Sequence, residues 1–480
     1  MFGRTPSGVA AFGVVLALAV GALAPLGSAG ATGETAQTPS ARLLTVQDLP
    51  IGWSKTKAVS SDVTDAACLS GIQKLHTDSQ EKIAAFVEGT ALPSFGEVLF
   101  SRLPPSSSWA RLNAGLATCK TFTLTISGEK HKVTIHGLDW TFAGALSASY
   151  EWSFRDDKIA FNVDLVIFNE GSVVGFTAYS DLGSPSPATA QAFTNAALEK
   201  LNGASGQVRD VVSVASTPVR IAHTSMGDVA YRELGRGYPL VLVMGYGAPM
   251  EAWDRRFVDA LAERYQVVLF DNAGIGGTQG LRAPLSIDEM ADQTSALVSA
   301  LGLKSPDILG WSMGGMIAQA LAVLHPAQVH RLVLCATFPG RGPVERPSQK
   351  DIDALTNGDT KLAIADLWPA DQTSAYIAYV ISVTSYPPGA TASPATIDSQ
   401  ASAIIQWWSA KDTAGRQASS ITSPTLIADG AIDQIDPVVN DHALAGLIPS
   451  SRLVIYPDAG HAFLFQEGSR FVSTVESFLG

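Results

Sequence analysis

The hydrophobic pattern of the chain changes twice. Between Arg4 and Glu34 no residue is charged, and Val9 to Leu23 is apolar throughout, with only glycine interspersed. One basic residue precedes that run, and Pro25, Gly27 and Ala29-Gly30-Ala31 follow it. This is the order of a secretory signal, so residues 1–31 are expected to be a signal peptide cut after Ala31. The alternative is an uncleaved anchor, because the 19 residues from Gly8 to Leu26 are enough to cross a bilayer. Residues 32–42 are small and polar and make a flexible lead-in. From 43 to 202 apolar and polar positions alternate, as in Lys132 to Ile135, Ala148 to Phe154, Ile159 to Ile167 and Val173 to Tyr179. Period-2 alternation rich in aromatic and β-branched residues predicts strands with one buried face. Helical stretches at Ser107 to Cys119 and Ala188 to Leu201 flank them, which predicts an α+β domain. Residues 203–216, beginning Gly203-Ala204-Ser205-Gly206, are expected to be a linker.

From 217 to 480 the texture is different. Leu240 to Met244, Gln266 to Phe270, Ile308-Leu309, Arg331 to Cys335, Thr425 to Ala428 and Leu453 to Tyr456 are continuous apolar strands separated by helical segments. Strands of that kind belong to a parallel sheet covered on both faces, so the predicted fold is α/β, mostly parallel and doubly wound. Residues 339–420 separate two of the strands and carry helical patterning at Ile352 to Leu355, Leu362 to Leu367 and Ala401 to Trp408. So long an insertion predicts a cap.

Composition narrows the classes. With 46% hydrophobic and 16% charged residues the chain can bury large cores, which excludes a disordered or collagen-like protein. A net charge of −12 lacks the footprint of a nucleic-acid binder. No second apolar run follows the first, so the mature chain is expected to have no membrane span and to work outside the cytoplasm, secreted or in the cell envelope. Of three cysteines, Cys68 and Cys119 share the first domain, and an oxidising compartment would join them in a disulfide. The alternative is two separate buried thiols. Cys335, on an apolar strand, is expected to be an inert buried residue. No His or Cys pair has metal-ligand spacing, and His131 and His136 should point to opposite faces of one strand, so neither a metal nor a cofactor is expected.

Ligands of such sheets bind beyond the carboxyl ends of the strands. At one of those ends stands Gly310-Trp311-Ser312-Met313-Gly314, a G-x-S-x-G string between a strand and the helix Met313 to Leu324. A nucleophilic serine needs this sharp turn to project its oxygen free of the sheet, and glycines beside it remove colliding side chains. The base candidate is His461, in a short loop after Leu453 to Tyr456; His325, His330 and His442 have less suitable positions. The orienting acid candidate is Asp433 in Gly430-Ala431-Ile432-Asp433, ahead of Asp436 and Asp429. Two backbone donors for an oxyanion would come from Met313 and from Tyr246, in the turn after Leu240 to Met244. Trp311 is placed to border the substrate. Trp368, Tyr376, Tyr379, Trp407 and Trp408 would supply apolar cap walls, or, for most of them, cap core.

Taken together, Val241 to Gly247, Phe270 to Thr278, Gly310 to Gly315, and Gly430 to Asp433 with Gly460-His461 resemble the α/β-hydrolase family, in its branch of serine esterases, lactonases, carbon–carbon hydrolases and cofactor-free haloperoxidases. The resemblance implies a Ser312–His461–Asp433 triad with an acyl-enzyme and no cofactor. Two departures stand out: Met244-Gly245 replaces the usual His-Gly, and Asp271-Asn272-Ala273-Gly274 lacks the arginine of the usual Asp-x-Arg-Gly. The segment Leu43 to Trp53 with its two downstream cysteines resembles a small domain of bacterial envelope lipoproteins and kinase ectodomains, which implies ligand sensing or envelope interaction. The expected function is a secreted serine hydrolase acting on an ester-like bond of a small, apolar acyl substrate. The alternatives are an envelope binding or sensor protein on a hydrolase fold, and a haloperoxidase or perhydrolase that uses the same triad.

Overall fold

A computed structural model describes residues 42–480 except 58–61, 65–68, 70–79, 90–91, 102–104, 127–128, 157–158, 184–185, 210, 280, 282–283, 342–344, 351, 354–366, 369–372, 388 and 390. The expected signal peptide, nearly all of the lead-in, and Cys68 lie outside the described residues. Among the described residues no helix is long and apolar enough to cross a membrane. The chain forms two compact units, Met1–Val211 and Val212–Gly480.

The first unit contains β1 (Trp53–Lys55), β2 (Asp62–Thr64), β3 (Gln80–Glu88), β4 (Ser94–Ser101), α1 (Pro105–Thr118), β5 (Thr121–Ile126), β6 (Glu129–Leu138), β7 (Leu146–Asp156), β8 (Ile159–Glu170), β9 (Val173–Leu182) and α2 (Pro187–Leu201). Its strands form one antiparallel sheet in the order β1-β3-β4-β9-β8-β7-β6-β5-β2. The alternating segments are β6 to β9. As their period requires, His131 is buried and His136 exposed. Helix α2 covers one face, packing Ala190, Phe193, Ala197 and Leu201 against Phe86, Phe95, Val166, Phe168 and Tyr179.

Several acids are buried in this unit, among them Glu88, Glu97, Asp164 and Asp181. Glu97 of β4 is fully buried, and its Oε2 accepts the Leu44 N–H at 2.9 Å. Beside it Lys200 of α2 pairs with Asp48. Burial pushes the Glu97 carboxyl up to about 8. The expected linker is packed at both ends: Val208 N–H bonds Asp48 O at 2.8 Å within the first unit, and Val214 N–H bonds Asp259 Oδ1 at 2.7 Å within the second.

The second unit contains β10 (Arg220–Thr224), β11 (Gly227–Leu234), β12 (Tyr238–Val243), α3 (Arg255–Ala262), β13 (Tyr265–Phe270), α4 (Ile287–Ala300), β14 (Asp307–Trp311), α5 (Met313–Leu324), β15 (Leu332–Cys335), α6 (Thr373–Val383), α7 (Pro394–Trp408), β16 (Thr425–Gly430), α8 (Val439–Leu447), β17 (Ser451–Tyr456), α9 (Phe463–Gln466) and α10 (Gly468–Leu479). The sheet order is β10-β11-β13-β12-β14-β15-β16-β17, antiparallel at β10, β11 and β13 and parallel from β13 onward. Each apolar strand feeds two cores. Leu240 and Leu242 face α3 and α10, while Val241 and Val243 face α4 and α5. That is why these strands read as continuous rather than alternating.

Helices α6 and α7 belong to the expected cap, and Ala401 to Trp408 is the second half of α7. Of the other two helical stretches, 354–366 lie outside the described residues. Helix α7 starts cleanly: Ser393 Oγ accepts the Thr396 N–H at 3.1 Å, and Pro394 takes the first helical position.

At the carboxyl end of β16 the unit also buries three acids, Asp429, Asp436 and Asp441, whose nearest oxygens all lie within 4.8 Å of one another. Burial and mutual repulsion raise all three carboxyls well above the carboxylate range.

Both features set a sign for pH dependence. An acid raised in the fold is still protonated there when it has ionised in the unfolded chain, so its contribution is complete below the unfolded value and is lost as pH rises toward the folded one. Glu97→Gln is therefore expected to reduce the loss of first-unit stability between pH 4.5 and about 8, read from amide exchange in β4 and β9, leaving the part due to buried Asp164, raised to about 7; an unchanged slope would refute it. Asp436→Asn keeps an acceptor for Asn440 Nδ2, now at 2.9 Å from Asp436 Oδ1, and gives Asp441 a donor. Its melting temperature should exceed that of the parent at pH 8 and converge with it near pH 4. A lower value at pH 8 would show that the cluster is not held together by protons.

Candidate active site

Ser312 follows β14 directly and precedes the first residue of α5. Its φ of 57° and ψ of −123° are forbidden to most side chains, so the turn is strained. Surrounding bonds hold it: Ser312 N–H donates to Cys335 O at 2.9 Å, and Thr337 Oγ1 donates to Ser312 O at 2.7 Å. The flanking glycines are required by close approach. A β carbon on Gly310 would lie 2.3 Å from Gly314 O, one on Gly314 would lie 2.0 Å from Val243 O, and one on Gly315 would lie 2.6 Å from Thr337.

His461 and Asp433 come together. Their rings and carboxylates sit in the loops after β17 and β16, and His461 Nδ1 is 2.7 Å from Asp433 Oδ2, with the side chains 3% and 0% exposed. A carboxylate has no proton to give, so Nδ1–H is the donor and Nε2 is left as the acceptor. The other carboxylate oxygen, Asp433 Oδ1, accepts the N–H groups of Ile435 and Asp436 at 2.7 and 2.8 Å. Neither Asp436 nor Asp429 bonds the histidine; both belong to the buried acid cluster, where burial and mutual repulsion raise their carboxyls. His325 and His330 also pair with acids, Asp292 and Asp307, but those pairs are partly exposed, and the second lies at the opposite, amino end of the strands. His442 is an exposed residue of α8.

The turn carrying Tyr246 lies against the serine. A β carbon on Gly245 would be 3.3 Å from Ser312 Cβ. Met313, fully buried, heads α5, where the first N–H groups of a helix have no intrahelical acceptor. Two residues that the sequence pattern did not single out hold the turn. Asn272 Nδ2 donates to Met244 O at 2.7 Å, and Gln400 Oε1 of α7 accepts the Gly247 N–H at 2.9 Å. Asn272 stands at the unrestricted second position of the Asp-x-Arg-Gly pattern, whose departure is Ala273, so its letter carried no signal. Gln400 carried no signal at all, being one polar residue in an irregular cap. The Tyr246 hydroxyl is buried without a hydrogen-bond partner, and burial pushes it up to about 12, so it stays a neutral phenol.

Trp311, expected beside the substrate, is 8% exposed and braces the histidine: its indole N–H donates to His461 O at 3.0 Å. It packs against Trp253 and Phe465. Of the cap aromatics, Trp407 is buried with its N–H on Phe338 O, and the Tyr379 hydroxyl donates to Ala252 O, so both are cap core. Trp368 stacks among Tyr376 and Tyr379.

The family model of the alpha/beta hydrolase fold matches residues 238–468. A 2-hydroxymuconate semialdehyde hydrolase of Pseudomonas sp. strain CF600 is 28% identical over 257 residues, covering 51% of this chain and 88% of its own. The pimeloyl-[acyl-carrier protein] methyl ester esterase of Aeromonas hydrophila is 26% identical over 263 residues, covering 53% of this chain and 100% of its own. Among solved structures, an alpha/beta hydrolase fold protein from Chitinophaga pinensis is 24% identical, covers 55% of this chain and 98% of its own, and has a TM-score of 0.49. Strand order, the position of the serine turn and the family model over 238–468 agree that the second unit has the α/β-hydrolase fold, and the two curated relatives named here are hydrolases.

Proposed function

We propose that the second unit is a serine hydrolase that cleaves an ester-like bond, a carboxylic ester or lactone, through an acyl-enzyme. The observation that carries this reading is the buried His461–Asp433 bond of 2.7 Å at the same sheet end as the strained Ser312 turn. In this reading His461 Nε2 takes the Ser312 hydroxyl proton as Oγ attacks the carbonyl carbon. Asp433 fixes the tautomer and steadies the imidazolium. The N–H groups of Met313 and Tyr246 receive the oxyanion, and His461 returns the proton to the leaving alcohol. Water, deprotonated by His461, then attacks the acyl carbon and releases acid and free Ser312. With serine rather than aspartate as nucleophile, dehalogenase and epoxide hydrolase chemistry is disfavoured. The aromatic cap favours an apolar acyl or alcohol group.

We also propose export of the chain, cleavage after Ala31 and a Cys68–Cys119 disulfide. The support is the apolar run Val9 to Leu23 and the separation of these cysteines from Cys335, which is free and buried. In this reading the first unit is an envelope or ligand-sensing domain.

A fluorophosphonate probe should label the full-length chain at Ser312, and Ser312→Ala should abolish labelling and lower kcat/KM for a short p-nitrophenyl ester by about 10⁴-fold or more. Asp433→Asn should cost about 10⁴-fold with little change in KM, because an amide at this position can hold the wrong tautomer. Turnover retained by Ser312→Ala would overturn the serine mechanism. A wild-type chain that neither labels nor turns over would favour the binding-protein reading, and peroxidase activity dependent on acetate would favour the perhydrolase one.

A further inference from the structure

The first half of α7 is fastened to the loops that end β12 and β13. Thr396 Oγ1 donates to Gly274 O at 3.2 Å, and Ser399 Oγ accepts the Leu285 N–H at 2.8 Å. Ile397 and Thr396 close over two glycines: a β carbon on Gly247 would lie 2.7 Å from Ile397 Cδ1, and one on Gly274 would lie 2.8 Å from Thr396 Cγ2. Gln400 stands at the centre of this contact and is fully buried. Its two amide atoms face opposite ways. Oε1 accepts the Gly247 N–H at 2.9 Å, and Nε2 donates to Ala273 O at 3.1 Å. A single side chain of the cap thus bridges the turn after β12 to the turn after β13, over 153 and 127 residues of sequence.

We propose that Gln400 is a positioning residue for the oxyanion hole, a role that rests on the serine hydrolase reading above. Gly247 has φ of +66°, and the turn it closes contains Tyr246. Gln400 occupies the Gly247 N–H, which removes that group as a competing donor, and fixes the peptide planes on either side of it. The Tyr246 N–H is then held toward Ser312 while the other end of the turn is tied down by Asn272 on Met244 O. Gln400 touches neither nucleophile nor reacting carbonyl. It acts through Gly247, so the geometry of the hole depends on the docking of the cap. Donors of an oxyanion hole lose most of their effect when displaced by about 1 Å, which is why a residue behind the loop can govern kcat.

The test uses the full-length chain and a short p-nitrophenyl ester. Gln400→Met preserves side-chain length and packing but removes both hydrogen bonds. It should lower kcat about 30-fold, change KM by less than about 3-fold, and slow fluorophosphonate labelling in parallel with kcat. Gln400→Glu sets a carboxylate against Ala273 O and a negative charge beside the oxyanion, and should lower kcat at least as far as Gln400→Met. Thr396→Val removes a neighbouring bond of the same helix without touching the turn and should leave kcat within about 2-fold of wild type. If Gln400→Met keeps wild-type kcat, or if Thr396→Val loses as much, Gln400 merely holds the helix and the proposal fails. If Gln400→Met does not fold, amide exchange in the wild type decides: the Gly247 N–H should be protected to the level of β12, and exchange as fast as an open loop would overturn the proposal. A wild-type chain that neither labels nor turns over refutes the underlying hydrolase reading, which is a different failure from active wild type with indifferent variants.

Discussion

The contact on which the second unit depends is the meeting of Gly314 with the end of β12, where even a methyl group would overlap Val243 O at 2.0 Å. Bringing the start of α5 so close to a neighbouring strand forces the chain to reverse within one residue, and Ser312 takes up the strain with a positive φ. Thr337, Cys335 and the Gly310–Gly314 approach hold the backbone on every side, so relaxation at Ser312 would have to break several bonds together. The same contact lays the turn of Tyr246 beside the serine and beside the start of α5. The strained turn and the closeness of the Tyr246 loop to Ser312 are thus two consequences of one packing constraint.

The acid side of the site is selected by hydrogen bonding rather than by the number of carboxylates. Four aspartates, at 429, 433, 436 and 441, are buried within one stretch of chain. Asp433 is the one that receives three N–H donors, from Ile435, Asp436 and His461. The other three face each other, and burial with mutual repulsion raises them. Donors from a tight loop can stabilise a charge that solvent does not reach, whereas carboxyls left to one another lower their energy by keeping protons.

What the sequence made legible follows from this physics. Continuous apolar strands, the G-x-S-x-G string and the loops ending in Asp433 and His461 are local patterns, and each lies where its period or spacing places it. The hairpin of β10 and β11 and strands β3 and β4 were missed. Val98, Leu99 and Phe100 are all buried, which erases alternation in β4, and the hairpin carries charges such as Arg232 that the fold buries beside Glu251. Gln400 was invisible for another reason. Its partners are Gly247 N–H and Ala273 O, backbone groups that any sequence possesses, so nothing in the string of letters marks the pair.

The missing arginine of the Asp-x-Arg-Gly loop gains a physical explanation from the same network. Asp271 is buried, accepts the Met250 N–H at 2.8 Å, and is pushed up to about 6 by burial and by Glu251. Arg232 and Glu251 already form a buried ion pair nearby. A further guanidinium would add a buried charge that needs its own counterion, and such charges are costly when imperfectly paired. Ala273 leaves the arginine's place uncharged, Asn272 before it meets the Met244 carbonyl with a neutral amide, and Gln400 supplies a second amide from the cap. Amides offer both a donor and an acceptor without net charge. The loop beside the serine is therefore fixed on both sides with no formal charge added, and under the proposed serine mechanism the cap supports the oxyanion hole as well as roofing it.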